Sequence, residues 1–166
     1  MPIVMFTIGI GLVAPMVGCS RPSSPGASTS STPQRVHRVI DGDTIEISFG
    51  EAVETVRLLG IDTPETVHPT KPIECFGPEA SSSLKVLLPV GTPVRLERDR
   101  ELHDHFGRIL AYVYRLDDDR FVNLIQLQQG DAEVSIIEPN DAFASEFRAA
   151  EMRARVDHLG MWAACR

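Results

Sequence analysis

Residues 35–61 read RVHRVIDGDTIEISFGEAVETVRLLGI, and this stretch decides the fold. It holds three β-branched runs, Val36 to Ile40, Thr44 to Phe49 and Thr55 to Ile61. Val, Ile and Thr favour extended chain because their branched side chains pack well on a pleated surface. Asp41-Gly42-Asp43 supplies a turn between the first two runs, and Gly50-Glu51 starts the link to the third. The stretch therefore predicts three short strands in succession.

Downstream, Val94 to Arg98 and Ile109 to Leu116 predict two more strands. Pro78 opens a predicted helix, PEASSSLKVLL, where its missing N–H costs nothing in the first turn. Phe121 to Gln129 predicts a short helix stopped by Gly130. Phe143, Phe147 and Ala150 recur at helical spacing to about Val156, and Gly160 ends that helix. No internal repeat is visible. Five short strands and about three helices predict an α+β fold, a small closed β-barrel of the oligonucleotide-binding (OB) type with helices packed around it.

Upstream, the chain changes character twice. Ile3 to Val17 is apolar and ends in Val17-Gly18-Cys19. Roughly 15 apolar residues suit a signal-peptide core and fall short of the ~20 that span a membrane. Small residues before Cys19 resemble a bacterial lipobox, which makes Cys19 a lipidation candidate. Met16 stands where a lipobox usually has Leu, and no Lys or Arg precedes the apolar core, so a plain secretory signal and an uncleaved anchor remain open. All three readings place the domain outside the cytoplasm. Residues 20–34, SRPSSPGASTSSTPQ, contain no large apolar side chain and predict a flexible tether. The expected organisation is a leader over 1–19, a linker over 20–34 and one domain over 35–166.

The 166 residues carry 16 Lys and Arg against 23 Asp and Glu, a formal charge of −7. Residues 1–34 contribute only Arg21, so the acidity belongs to the domain. That balance excludes a broad basic surface for nucleic acid, since phosphate binding gains from Lys and Arg displacing counterions. Charge alone suggests a small enzyme or binding module without a polyanion partner.

Four local strings change that view: IDGDT at 40–44, RLLGIDTPE at 57–65, CFGPEA at 75–80 and DHFGRILAYV at 104–113. Asp43 follows a glycine turn at a strand start, and Asp62 ends a strand just before Thr63-Pro64. Two carboxylates so placed, with backbone carbonyls and water nearby, suit a hard divalent cation such as Ca²⁺. No His or Cys stands at ligand spacing, which disfavours Zn²⁺. Asp-Gly and Asp-Thr-Pro are also turn formers, so either aspartate has a purely structural alternative. Arg57, Glu65 and Arg108 weigh against that alternative. Phosphodiester cleavage needs a cation or guanidinium for the charge growing on the phosphoryl oxygens, and a group to orient or deprotonate water. An Arg fork grips two oxygens and keeps its charge.

In order and spacing the four strings resemble the staphylococcal-nuclease-like, or thermonuclease, family, from about Arg35 to Trp162. The ending GMWAACR is similar to the Gly-x-Trp ending of secreted members. The resemblance implies that Arg57 and Arg108 contact the scissile phosphate. It assigns Ca²⁺ to the carboxylates of Asp43 and Asp62 and the backbone carbonyl of Thr63, with Asp41 supporting the metal site. It makes Glu65 the general base or water-orienting group. Lys71 and Lys85 match basic positions, Lys71 as a substrate contact. The implied activity is hydrolysis of DNA and RNA with little sequence preference, leaving 3′-phosphate ends. Nucleic acid is then the substrate, a membrane is met only through a lipid anchor, and the chain acts as a monomer.

Two departures bear on grip. The family's basic residue and tyrosine before Gly-Arg are His105 and Phe106 here, so the aromatic face stays and the hydroxyl is lost. The stretch that often carries base-stacking tyrosines reads Ser135-Ile136-Ile137-Glu138. Stacking contributes ~1–3 kcal/mol per base, so weak substrate binding is expected. His37, His68, His103 and His158 carry no assignment. With Cys19 set aside, Cys75 and Cys165 remain, and an extracytoplasmic setting makes them a candidate disulfide. Similar secreted relatives support the pairing, and two free thiols are the alternative. The bridge would close a span of 90 residues, for which loop entropy allows ~4–5 kcal/mol at most.

Overall fold

The computed structural model describes residues 33–66 and 72–165. The proposed leader, the linker up to residue 32, Cys19 and Lys71 lie outside these. Strand β1 (Gln34–Asp41) pairs antiparallel with β2 (Thr44–Phe49) around Gly42-Asp43, and β2 pairs with β3 (Ala52–Leu58) around Gly50-Glu51. Gly50 has φ 66°, the left-handed conformation that lets a two-residue loop follow the strand twist. Strand β3 then pairs in parallel with β6 (Ile109–Arg115). Strand β5 (Pro93–Glu97) joins β6 on one side and β1 on the other, which closes the predicted five-stranded barrel.

Alternation along the strands explains the core. Ile45 and Ile47 of β2, Val56 and Leu58 of β3, and Leu110 and Val113 of β6 are fully buried. Helix α1 (Gly77–Leu87) adds Leu84 and Leu87, and α2 (Val122–Gln129) adds Val122 and Leu127. Helix α3 (Ala144–Val156) contributes Phe147 and Ala150. Tyr112 meets Phe121, Phe143 and Phe147 edge to face, with Tyr112 and Phe143 centroids 4.6 Å apart, while Phe143 and Phe147 stack on each other. That geometry sets positive ring edges against negative faces and fastens α3 to the barrel.

The third predicted strand, Thr55 to Ile61, is not continuous. It breaks after Leu58, and Gly60 takes φ 78°. A Cβ at Gly60 would run into the Phe147 ring, so both φ and space require glycine. Beyond the break, β4 (Gly60–Asp62) leaves the barrel and pairs antiparallel with β7 (Glu133–Ser135). No strand was expected at 133–135, because three residues carry too little pattern and the pairing is non-local. Buried Asn123 stabilises the break: its amide donates to Leu59 O at 2.8 Å and its carbonyl accepts from Val113 N at 2.9 Å. A fourth, short helix, α4 (Met161–Ala164), follows Gly160. Cys75 and Cys165 form a disulfide with Cα atoms 5.9 Å apart, as anticipated.

Candidate active site

Three features of the barrel converge on one cleft: the β1–β2 turn, the β3–β4 break and the loop before β6. The cleft measures 460 Å³ and is lined by Asp41, Asp43, Arg57, Asp62, Thr63, Glu65, Glu74, Phe106 and Arg108 among others. Of the site residues singled out from the sequence, Asp41, Asp43, Arg57, Asp62, Thr63, Glu65, Phe106 and Arg108 line it, whereas Lys85 stands exposed in the last turn of α1, outside this lining.

Arg57 is the best-held member. It sits on β3 at only 7% exposure, where a lone charge would be costly. Its Nη1 donates to Leu58 O at 2.9 Å and to Ile61 O at 2.8 Å, both carbonyls of the strand break. Its Nη2 lies 2.7 Å from Asp62 Oδ1 and 3.1 Å from Asp43 Oδ2. One guanidinium thus holds Asp43 of the β1–β2 turn and Asp62 of β4 in a common position.

Asp43 is further fixed by donors from Thr44 Oγ1 at 2.8 Å and Thr63 N at 3.1 Å. Gly42 makes that approach possible, because a Cβ there would stand 2.7 Å from Thr63 Oγ1. Gln126 anchors the turn from α2, donating to Gly42 O at 3.0 Å. Asp41 Oδ1 accepts from Gly42 N at 2.8 Å and Thr66 Oγ1 at 2.7 Å, so it braces the segment that carries Glu65.

The carboxyl of Asp62 is pushed up to about 6. Loss of water around it is the largest cause; Arg57 opposes this, and Asp43 and Glu133 raise it again. Crowding of this kind favours a cation. The donors on offer, Asp43, Asp62 and the Thr63 carbonyl, are all hard oxygens, which fits Ca²⁺ with water completing its shell. No group of three or more His, Cys, Asp or Glu side chains poised around a metal occurs among the described residues.

Arg108 joins the cleft from the loop before β6. Its Nε donates to Asp104 Oδ2 at 2.6 Å, and its backbone N–H donates to Asp104 Oδ1 at 2.9 Å. Burial alone would raise Asp104, but these donors outweigh it and hold its carboxyl below the ordinary value. The Arg108 guanidinium lies 5.3 Å from the Phe106 ring centroid, and Phe106 itself is 71% exposed. Asp104 was not singled out from the sequence, although it heads the DHFGR string. Glu74 was also missed, although it directly precedes CFGPEA: its Oε2 accepts from Glu65 N at 3.0 Å, and Glu65 Oε1 accepts from Thr66 N at 3.1 Å.

Among the described residues the cleft combines five carboxylates with two guanidiniums. The guanidiniums can bind an oxyanion, and the acids beside them can hold a cation. Comparison with known proteins agrees with this architecture. The family model described as "Staphylococcal nuclease homologue" matches residues 55–164. A thermonuclease of Staphylococcus intermedius is 43% identical over 127 residues, covering 76% of this chain and 74% of that protein. A thermonuclease of Staphylococcus hyicus is 37% identical over 128 residues, covering 77% and 74%. Endonuclease YncB of Bacillus subtilis (strain 168) is 39% identical over 127 residues, covering 75% of this chain and 59% of that longer protein. Since the family model covers more than half of the chain, and the Staphylococcus intermedius relative is 43% identical over 76% of it, the chain belongs to the staphylococcal nuclease family.

Proposed function

We propose that the protein is a Ca²⁺-dependent nuclease that hydrolyses DNA and RNA with little sequence preference and leaves 3′-phosphate ends. The observation that carries this reading is the gathering of Arg57, Arg108, Glu65, Asp43 and Asp62 in one cleft. The names of the relatives support it, being thermonucleases and an endonuclease.

In this reading the scissile phosphate sits between Arg57 and Arg108. Arg57 is held in place before substrate arrives, so little reorganisation is needed as charge builds on the phosphoryl oxygens. Arg108 approaches from the side of Phe106 and completes the grip. Glu65 orients a water and takes its proton as the new P–O bond forms; the P–O5′ bond breaks with its electron pair going to the leaving oxygen, which takes a proton from solvent water to become a 5′-hydroxyl. Ca²⁺, when bound through Asp43, Asp62 and Thr63, adds Lewis-acid stabilisation of the same phosphoryl charge. Among the described residues, no Asn or Gln side chain lines the cleft to read base edges, which favours indifference to sequence. The leader and lipobox support an extracytoplasmic enzyme, tethered through Cys19 or released.

The deciding assay follows cleavage of single-stranded DNA and RNA by purified protein in Ca²⁺ and after chelation. Cleavage that needs Ca²⁺ and falls about 10²–10⁴-fold in Glu65→Gln is expected. Clean protein that cleaves neither substrate in Ca²⁺ would overturn the reading. Mass spectrometry of the native N-terminus, with a diacylated Cys19 expected, tests the anchor.

A further inference from the structure

Glu65 and Glu74 hold each other through a reciprocal pair of hydrogen bonds. Glu65 N–H donates to Glu74 Oε2 at 3.0 Å, and Glu74 N–H donates to Glu65 O at 2.9 Å. The residue after Glu74 is Cys75, covalently joined to Cys165 beyond α4. Helix α4 is itself tied to the body of the domain. Met161 N donates to Gly130 O at 2.9 Å, and Cys165 N donates to Met161 O at 2.9 Å. Gly130 and Gly160 lie so close that a Cβ on either would run into the other's backbone or its neighbour's. On the other flank, Gly77 N donates to Glu74 O at 3.1 Å, and a Cβ on Gly77 would stand 2.9 Å from Glu65 O. A continuous chain of contacts thus runs from the end of α2 through α4 and the disulfide to the backbone of Glu65.

We propose that Glu74 is a positioning residue for Glu65, and that the Cys75–Cys165 disulfide is what keeps Glu74 in place. The proposal rests on the reading of Glu65 as the water-orienting group. The physical reason is local. Among the described residues, Cys75 and Glu74 border a cleft of 330 Å³ shared with Asp62, Thr63, Met161 and Trp162, so on this side they face a cleft and not packed core. Without the covalent tie, Glu74 has room to move, and a displacement of about 1 Å at a catalytic group can cost a hundredfold in rate. The bridge therefore acts on turnover as well as on stability.

Three variants test this. Glu74→Ala, which keeps the disulfide, should lower kcat about ten- to a hundredfold with KM within about twofold. Glu74→Gln retains an acceptor for Glu65 N–H and should stay within about threefold of wild type, which separates positioning from loss of charge. The paired Cys75→Ala, Cys165→Ala variant should reproduce the kcat loss at a temperature where its thermal melt shows it folded. In a Glu65→Gln background, Glu74→Ala should have no further effect, because the two act as a unit. Amide hydrogen exchange gives a readout independent of activity: the Glu65 N–H should exchange at least about tenfold faster in Glu74→Ala and in the cysteine variant. Unchanged kcat and unchanged Glu65 exchange in Glu74→Ala would overturn the proposal, as would a full further loss in the Glu65→Gln background. Wild-type protein that cleaves no nucleic acid would defeat the nuclease reading instead, and the exchange rates would still decide whether the clasp exists.

Discussion

Arg57 and Asp62 meet at 2.7 Å, Nη2 to Oδ1, where the chain breaks after Leu58 and β4 leaves the barrel to pair with β7. The break also aims the Leu58 and Ile61 carbonyls at the same guanidinium. Arg57 is thereby a structural tie as well as the proposed phosphate ligand, whereas Arg108 leans on Asp104 in a more exposed loop.

The two arginines should therefore fail differently. Arg57→Ala leaves Asp43 without its buried counter-charge and should lose about 3 kcal/mol or more of stability along with activity. Arg108→Ala should lose about 10²-fold or more in kcat. Its melting curve should stay close to wild type, since a partly exposed pair contributes ~0–1 kcal/mol. Parallel thermal melts and kinetics check both; equal stability losses would refute the distinction.

Gly42→Ala probes the packing of the β1–β2 turn on Thr63. The new methyl would meet Thr63 Oγ1 and Cβ at 2.7 and 2.9 Å, and neither belongs to a flexible side-chain end. Overpacking of this kind costs about 1–3 kcal/mol. Because Thr63 is the proposed source of a Ca²⁺ carbonyl, the variant should also need more Ca²⁺ for half-maximal activity. A calcium titration beside a urea melt measures both.

Asp131 offers a pH test away from the cleft. It is buried and accepts from Ser83 Oγ at 2.5 Å; burial raises its carboxyl, and the Ser83 bond only partly offsets this. An acid raised on folding binds its proton more tightly in the folded chain, so its stability cost grows as pH rises from the unfolded value through the folded one. Asp131→Asn removes that cost and should be more stable than wild type at pH 7. The advantage should fade below about pH 4, where aspartate is protonated even when unfolded. Melts at both pH values decide, and a variant less stable at pH 7 would contradict the sign.

Substrate grip should be weak and repairable. Two guanidiniums line the cleft, so binding to single strands should fall with salt at a log–log slope of roughly −1 to −2, at about −0.7 per phosphate neutralised. Phe106→Tyr restores a hydroxyl on an exposed ring beside Arg108 and should lower KM several-fold with kcat little changed. KM measured across a salt series tests slope and substitution together, and a steep slope in wild type would show cations that this picture lacks.

Much of this was legible in the primary structure, because the informative features are local. β-Branched runs marked the barrel strands, Gly130 φ 75° closed α2 where expected, and the two cysteines outside the leader did pair. The acidic balance that first argued against a polyanion substrate is concentrated in part at the cleft, where five carboxylates face two arginines. What stayed hidden depends on contacts between distant segments. The β4–β7 pairing joins residues 60–62 to 133–135, and no pattern of three residues announces it. Arg57 on a strand reads equally as a surface charge until the break folds two carbonyls over it. Glu74 carries no local signal in the sequence, and only the fold sets its carboxylate on the Glu65 amide.

Taken alone, the order of residues determined the element types, the barrel class and the chemical identity of the groups available, since propensity, turn chemistry and motif spacing are properties of neighbouring residues. Only the tertiary structure decided which acid faces which base, because burial and hydrogen bonding join groups far apart along the chain. That distinction separates Asp43 and Asp62, drawn together on Arg57, from Asp41, which turns to brace Thr66, and from Glu74, which secures Glu65.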